Sequence, residues 1–405
     1  MLTRNLRNFI RLETASGLLL FGALILALLI ANSPFDSFYE ELINLPIHIR
    51  IAALSLDKPL LLWVNEGFMA LFFMLLALEI KRETIEGELS EFSQITLPVI
   101  AAFGGIILPA LLYLGITEGD QDLLKGWPIA TTTDIAFALG IISLLGKRVA
   151  PNLKLFLVAL SIVDDILAIA LIALFYTSQL SLITLDLAAA CAVLLILLNR
   201  LGVNKIAPYI LLGIIMWICV LKSGIHATLA GIVVGLCIPL REKNSYGPRP
   251  PSPLRDLEHK LHPWVAYVIL PMFVFMNGGV TFTEINSGEL LSALPLGIAA
   301  GLCLGKSLGV FTASYLMIKL GLAKMPRGNN WLQLYGISAL TGVGFSMSLF
   351  LTALAFHGNK NDELARYGVL LGSFLSALLA ILVFEIAYRV KKKNRHPLQA
   401  VAEES

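Results

Sequence analysis

The chain's 405 residues are 57% hydrophobic and only 14% charged, and the mean hydropathy is +0.80. Soluble domains carry about 25% charged residues, so this composition excludes a soluble globule and marks an all-α polytopic membrane protein. The net charge of +2 comes with no basic stripe interleaved with aromatics, which gives no nucleic-acid partner.

A hydrocarbon core of ~30 Å is crossed by about 20 apolar residues in a helix. Such windows recur roughly twelve times, at 14–31, 59–80, 95–116, 127–145, 154–176, 182–199, 206–221, 224–240, 262–280, 291–318, 330–356 and 367–388. The seventh and eighth are short and are divided only at Leu221 to Gly224. The first also has the look of a cleaved signal peptide, because Arg4, Arg7 and Arg11 precede it. Against this, it is longer than the ~7–15 residues of a signal h-region, and Ala31-Asn32-Ser33 is a poor cleavage site. An even number of spans puts both termini on one side. About 23 Lys and Arg residues fall on that side and about six opposite, with Lys306 inside the membrane, so both termini are expected in the cytoplasm. Lys147-Arg148 and Lys391-Lys392-Lys393 carry much of that bias.

The connections are short, and the whole of 1–405 is expected to be one transmembrane transporter domain. After the first span, Ile47-His48-Ile49-Arg50-Ile51 alternates with the period of a strand and is followed by Leu54-Ser55-Leu56. A small hairpin at a subunit contact and an ordinary loop both remain open, and with them a homodimer. Between Arg241 and His262, Pro248, Pro250, Pro251 and Pro253 predict an extended linker. Within the fourth span, Thr131-Thr132-Thr133-Asp134 is a run of poor helix formers, and Gly336, Thr341, Gly342, Gly344 and Ser346 weaken the eleventh. Each set fits either an interrupted helix with freed backbone groups or close helix packing. Cys191, Cys219, Cys237 and Cys303 lie in apolar spans without metal-ligand spacing and are expected to be packing residues, neither zinc ligands nor disulfides. No cofactor is called for.

The chemistry is concentrated in four charges. Asp164 and Asp165 stand side by side within the apolar stretch Leu155 to Tyr176, Asp134 lies in the neighbouring span, and Lys306 follows Gly301-Leu302-Cys303-Leu304-Gly305. A charge at mid-bilayer costs roughly 2.5–3.5 kcal/mol on insertion scales, so such residues face a wet cavity or a partner and mark an ion or proton path. Adjacent helical residues point about 100° apart, yet Asp164 and Asp165 feel one another's charge and titrate as a coupled set. Such a site either holds protons or releases them and takes a hard monovalent cation through carboxylate and hydroxyl oxygens, with Thr133 beside Asp134. Competition for the same oxygens is the physical basis of antiport. An ion pair serving as helix glue needs Lys306 and one acid, leaving two acids unexplained. Lys306 needs a counter-ion, and either of the adjacent aspartates could supply it.

Two rival functions are weaker. An intramembrane aspartyl protease also uses two buried acids, but its Gly-x-Gly-Asp signature is absent and it has no use for a buried amine; no enzyme is expected. A sodium-coupled symporter of an organic solute needs a larger polar pocket than the Gly, Ala, Leu and small hydroxyls of the eleventh span offer.

Thr132-Thr133-Asp134-Ile135-Ala136-Phe137-Ala138-Leu139-Gly140, Val163-Asp164-Asp165, the run from Leu221-Lys222-Ser223-Gly224-Ile225-His226 to Gly231, and Gly342-Val343-Gly344-Phe345-Ser346-Met347-Ser348 resemble the NhaA family of bacterial sodium/proton antiporters. So do Leu78-Glu79-Ile80-Lys81-Arg82-Glu83, Leu257-Glu258-His259 and Gly305-Lys306. The resemblance implies twelve helices, inverted repeats of helices 3–5 and 10–12, and unwound fourth and eleventh helices crossing at mid-membrane. It implies Asp165 as a main cation and proton ligand and Asp164 as the partner of Lys306, exchanging it for ion or proton. Asp134 would offset helix-end dipoles beside Thr133, and sodium would be held by Asp165, Asp164 and Thr133.

The implied activity is electrogenic exchange of sodium or lithium for protons by alternating access, for pH and sodium homeostasis, in the bacterial inner membrane. Glu79, Arg82, Glu83, Glu258, His259 and His262 match the family's proposed pH-sensing cluster, and a His switches near pH ~6.5. Charges at span ends are also commonly a solvated rim. His226, near the start of a span, is either a further pH-responsive group or one satisfied by packing. Two positions depart from the pattern: Glu66 after Val64-Asn65, where the family often has Asp, and Ser307 after Lys306, where Pro is common.

Overall fold

The computed structural model describes residues 2–51, 54–87, 92–176, 181–240, 252–282, 287–326, 328–356 and 361–403. Among these, nine helices are long and apolar enough to cross a membrane, or eleven if each of two bent pairs counts as one span. The ten-residue apolar helix Thr228–Cys237 stands where the eighth span was expected. The protein is thus a polytopic all-α membrane protein. The proline-rich connection at Pro248, Pro250 and Pro251 lies outside the described residues, as do the side chains of Arg4, Arg7, Arg11, Lys147, Lys392 and Lys393.

The chain forms two compact units. The first comprises Met1–Leu18, Phe92–Asp164 and Asn286–Ser405. Within it, the fourth span is not one helix: a 3-10 segment, Leu124–Thr131, gives way to extended backbone at Thr132, and an α-helix starts only at Ile135–Leu145. Pro128 lies in the first piece and three threonines end it, so the regular ladder lacks one donor and then meets β-branched residues that favour extended backbone. The eleventh span is broken likewise, into Trp331–Leu340 and Phe345–Phe356, bent by 42°. A Cβ on Gly342 would lie 2.2 Å from the carbonyl oxygen of Leu302, so this break is also a point of close backbone approach. Both readings of the glycine and threonine runs therefore hold at once. The tenth span, Ala293–Lys319, widens into a π-helical turn at Gly301–Lys306.

The second unit comprises Leu19–Glu91 and Asp165–Ile285. Its core gathers Met74, Leu78, Leu195, Tyr209, Met216 and Val234 from four helices, with Cys191 buried among them. Strands Pro46–Ile51 and Leu54–Pro59 form an antiparallel hairpin in the register Pro46 to Pro59, which settles hairpin over loop. The ninth span begins at Pro253, well before the apolar window at 262. Ser252 caps it by accepting from Arg255 N at 3.2 Å, and Pro253 sits in the first turn, where its missing N–H costs nothing. A hydropathy window cannot register a polar helical extension of this kind.

Candidate ion-binding site

In the first unit the two interrupted spans meet through their unwound segments. Asp134 N donates to Val343 O at 2.7 Å, and Thr132 and Ser348 share a hydroxyl hydrogen bond of 2.9 Å. Because Ser348 Oγ donates to Ile129 O at 2.7 Å, Thr132 is the donor of that pair. The Ser348 hydroxyl thus satisfies a backbone carbonyl beside the break, and Thr132 fixes that hydroxyl in place.

Asp134, almost fully buried, stands at the start of two helices. Its Oδ1 accepts from Phe137 N at 3.0 Å, capping Ile135–Leu145, and its Oδ2 accepts from Ser346 N at 2.9 Å and from the Ser346 hydroxyl. A negative charge is therefore held against the N-terminal amides of both half-helices, where the peptide dipoles favour it. Lys306 occupies the opposite electrostatic position. Its ammonium, with the residue at 0% exposure, donates to the carbonyl of Thr131, the last residue of the 3-10 segment.

The same ammonium lies 2.7 Å from Asp164 Oδ2. That oxygen also accepts from Thr133 Oγ1 at 2.6 Å, while Thr133 Oγ1 is 2.8 Å from Thr341 O. A hydroxyl carries one hydrogen, so Thr133 serves the carboxylate or the carbonyl at any moment and never both. Asp164 Oδ1 is buried and has no hydrogen-bond partner among the described residues. Bare carboxylate oxygen at such a depth is costly, and a proton or a hard cation would satisfy it. Asp165, the next residue on the helix Pro151–Phe175, is buried as well, at 7% exposure.

The second unit, to which Asp165 itself belongs, also holds the remaining predicted residues, and it gathers only some of those. Arg82 Nε lies 3.0 Å from both carboxylate oxygens of Glu258, and Arg82 reaches Glu83 at 2.6 Å. Glu79 is half-buried on the same helix, His262 is half-buried, and His259 is exposed with no side-chain ion pair among the described residues. His226 stands apart. Its Nδ1 is 2.9 Å from Thr228 Oγ1 at the start of Thr228–Cys237, a helix whose length places it roughly 15 Å from the other end. At that other end Lys81 donates to the carbonyls of Leu236 and Ile238 at 2.7 and 2.6 Å. Neither this cap nor the Arg255–Glu86 ion pair was expected from sequence. Glu66 pairs with Lys58 of the hairpin, and its carbonyl accepts from Trp217 Nε1 at 3.0 Å.

Among the polar groups of the crossing, Ser346, Ser348 and the carbonyls of Thr131 and Thr341 were not expected as site residues. The sequence signals for the serines are their place in the motif Gly342 to Ser348 and their spacing in Ser346-Met347-Ser348, directly after the glycines of the break.

Residues 7–384 match the family described as Na+/H+ antiporter 1. The chain belongs to that family. The Na(+)/H(+) antiporter NhaA of Pseudomonas putida (strain GB-1) is 51% identical to it over 94% of this chain and 97% of its own. Na(+)/H(+) antiporter NhaA 1 of Syntrophotalea carbinolica is 52% identical over 96% and 98%, and the Aeromonas salmonicida (strain A449) antiporter NhaA 49% over 97% and 98%.

Proposed function

We propose that this protein is a sodium/proton antiporter that exchanges the two ions at Asp164, Asp165 and Thr133 by alternating access. The observation that carries this is Asp164: one carboxylate oxygen is shared by Lys306 and Thr133, while the other is buried without a partner.

With sodium absent, the Lys306 ammonium neutralises Asp164, and a proton on Asp165 removes the second charge from a buried place. Sodium would take the carboxylate oxygens of Asp164 and Asp165 and the Thr133 hydroxyl oxygen, whose hydrogen then turns to Thr341 O. The ammonium is displaced, and protons leave from the acids or from Lys306. If more than one proton leaves for each sodium that binds, exchange is electrogenic. Lithium, a smaller hard cation, suits the same oxygens. Asp134 holds the crossing together and is not displaced.

This reading places the protein in the bacterial inner membrane with both termini cytoplasmic, as one transporter domain whose copies form a homodimer, serving sodium and pH homeostasis. The Arg82, Glu83 and Glu258 cluster adjusts activity to pH. The test is transport in everted vesicles, with a pH-sensitive dye reporting dissipation of a proton gradient when sodium, lithium or potassium is added across a pH series. Dissipation by sodium and lithium supports the proposal; no response to sodium at any pH overturns it.

A further inference from the structure

The tenth span departs from regular geometry just before its buried lysine, in the π-helical turn Gly301–Lys306. An inserted residue of this kind turns everything beyond it by roughly 100° about the helix axis, so the turn decides where Lys306 points. Two neighbours of Lys306 constrain it. On one side, a Cβ on Gly305 would come within 2.5 Å of Pro109 Cα, so the backbone there is pressed against the helix Phe92–Ile116. On the other side is Ser307, at 0% exposure.

Ser307 has changed its hydrogen bonding. Its N–H goes to Leu304 O, three residues back, although an α-helical N–H would serve residue 303. Its hydroxyl takes that carbonyl instead, donating to Cys303 O at 2.5 Å, with Leu304 O at 3.2 Å. A carbonyl within the wide turn is thereby held by a side chain. We propose that Ser307 is a positioning residue for ion exchange: its hydroxyl closes the wide turn and so aims the Lys306 ammonium at Asp164 and at the Thr131 carbonyl. The role in transport rests on the proposed function of the Lys306–Asp164 pair; the geometric role does not.

The experiment compares Ser307→Ala, Ser307→Thr and, as a control, Ser314→Ala, a buried hydroxyl two turns further along the same helix. Each is made in the parent and in an Asp164→Asn background, with thermal unfolding of the purified full chain and sodium-driven proton transport as readouts. Ser307→Ala is expected to shift the apparent KM for sodium about fivefold, the change that loss of one hydrogen bond of ~1 kcal/mol gives. Ser307→Thr, which keeps the hydroxyl, should restore the parent value. In the Asp164→Asn background the loss of melting temperature caused by Ser307→Ala should shrink by about half or more, because sites that act through one another are not additive. Ser314→Ala, whose hydroxyl has no hydrogen-bond partner among the described residues, should change the melting temperature equally in both backgrounds.

Equal losses for Ser307→Ala in the two backgrounds, or failure of threonine to rescue, overturn the positioning role. Strong coupling with unaltered transport upholds the positioning of Lys306 and counts instead against the pair as an ion site.

Discussion

The Lys306 ammonium lies 2.7 Å from Asp164 Oδ2, and neither side chain exceeds 1% exposure. A buried pair of this kind adds little net stability, but removing one member leaves a charge stranded in a medium that cannot solvate it, at a cost of ~3–5 kcal/mol. Lys306→Ala should therefore lower the melting temperature well beyond Lys222→Ala, whose exposed ammonium donates to Ser55 O at 3.0 Å. Adding Asp164→Asn to Lys306→Ala should recover part of the loss. Thermal unfolding in one detergent decides it, and equal shifts for the two lysine variants would count against the pair.

Asp165→Asn keeps the volume of a buried side chain and removes its ability to exchange a proton for a cation. Transport should fall to background while the protein still inserts and purifies as a folded chain. Normal sodium-driven proton movement in vesicles at saturating sodium would remove Asp165 from the site.

Asp134 gives the structural counterpart. By accepting from Phe137 N, Ser346 N and the Ser346 hydroxyl it caps two helices at once. Loss of a helix cap typically costs ~0.5–2 kcal/mol, so Asp134→Ala should destabilise by about twice that of a single cap. Asp134→Asn, which keeps an acceptor oxygen, should destabilise less. The comparison is again of melting temperatures; similar values for the two variants would mean that the carboxylate's hydrogen bonds are not what holds the crossing.

The charge cluster requires a separate test, because protons and sodium competing for Asp164 and Asp165 already make transport pH-dependent. Competition weakens as sodium saturates, so the pH of half-maximal activity is to be measured there. Glu258→Gln breaks the two-oxygen pairing with Arg82 and should move that midpoint while leaving the maximum rate intact. His259→Ala, at an exposed position, should leave it unmoved. An unmoved midpoint in Glu258→Gln would make competition at the aspartates a sufficient account.

What was legible in the sequence is what depends on local composition or on an isolated charge. Apolar length revealed the segments, and the cost of burying a charge singled out Asp134, Asp164, Asp165 and Lys306. Runs of threonine and glycine marked both helix breaks to within a residue or two, because poor helix formers act where they stand. The tertiary structure decided the partners. Asp164 and Asp165 differ by about 100° on one helix, so which of them meets Lys306 depends on how that helix is rotated by packing. A wide turn ending at Lys306 and the hydroxyl of Ser307 set the direction of the ammonium, and neither leaves a period in the sequence. The pairing of Asp134 with Ser346, 212 positions away, and the Arg255–Glu86 pair likewise come from segments that only the fold brings together. Hydropathy reads the cost of leaving water one segment at a time; hydrogen-bond partners are chosen by the rotation and register of whole helices, which arise only when the helices have packed.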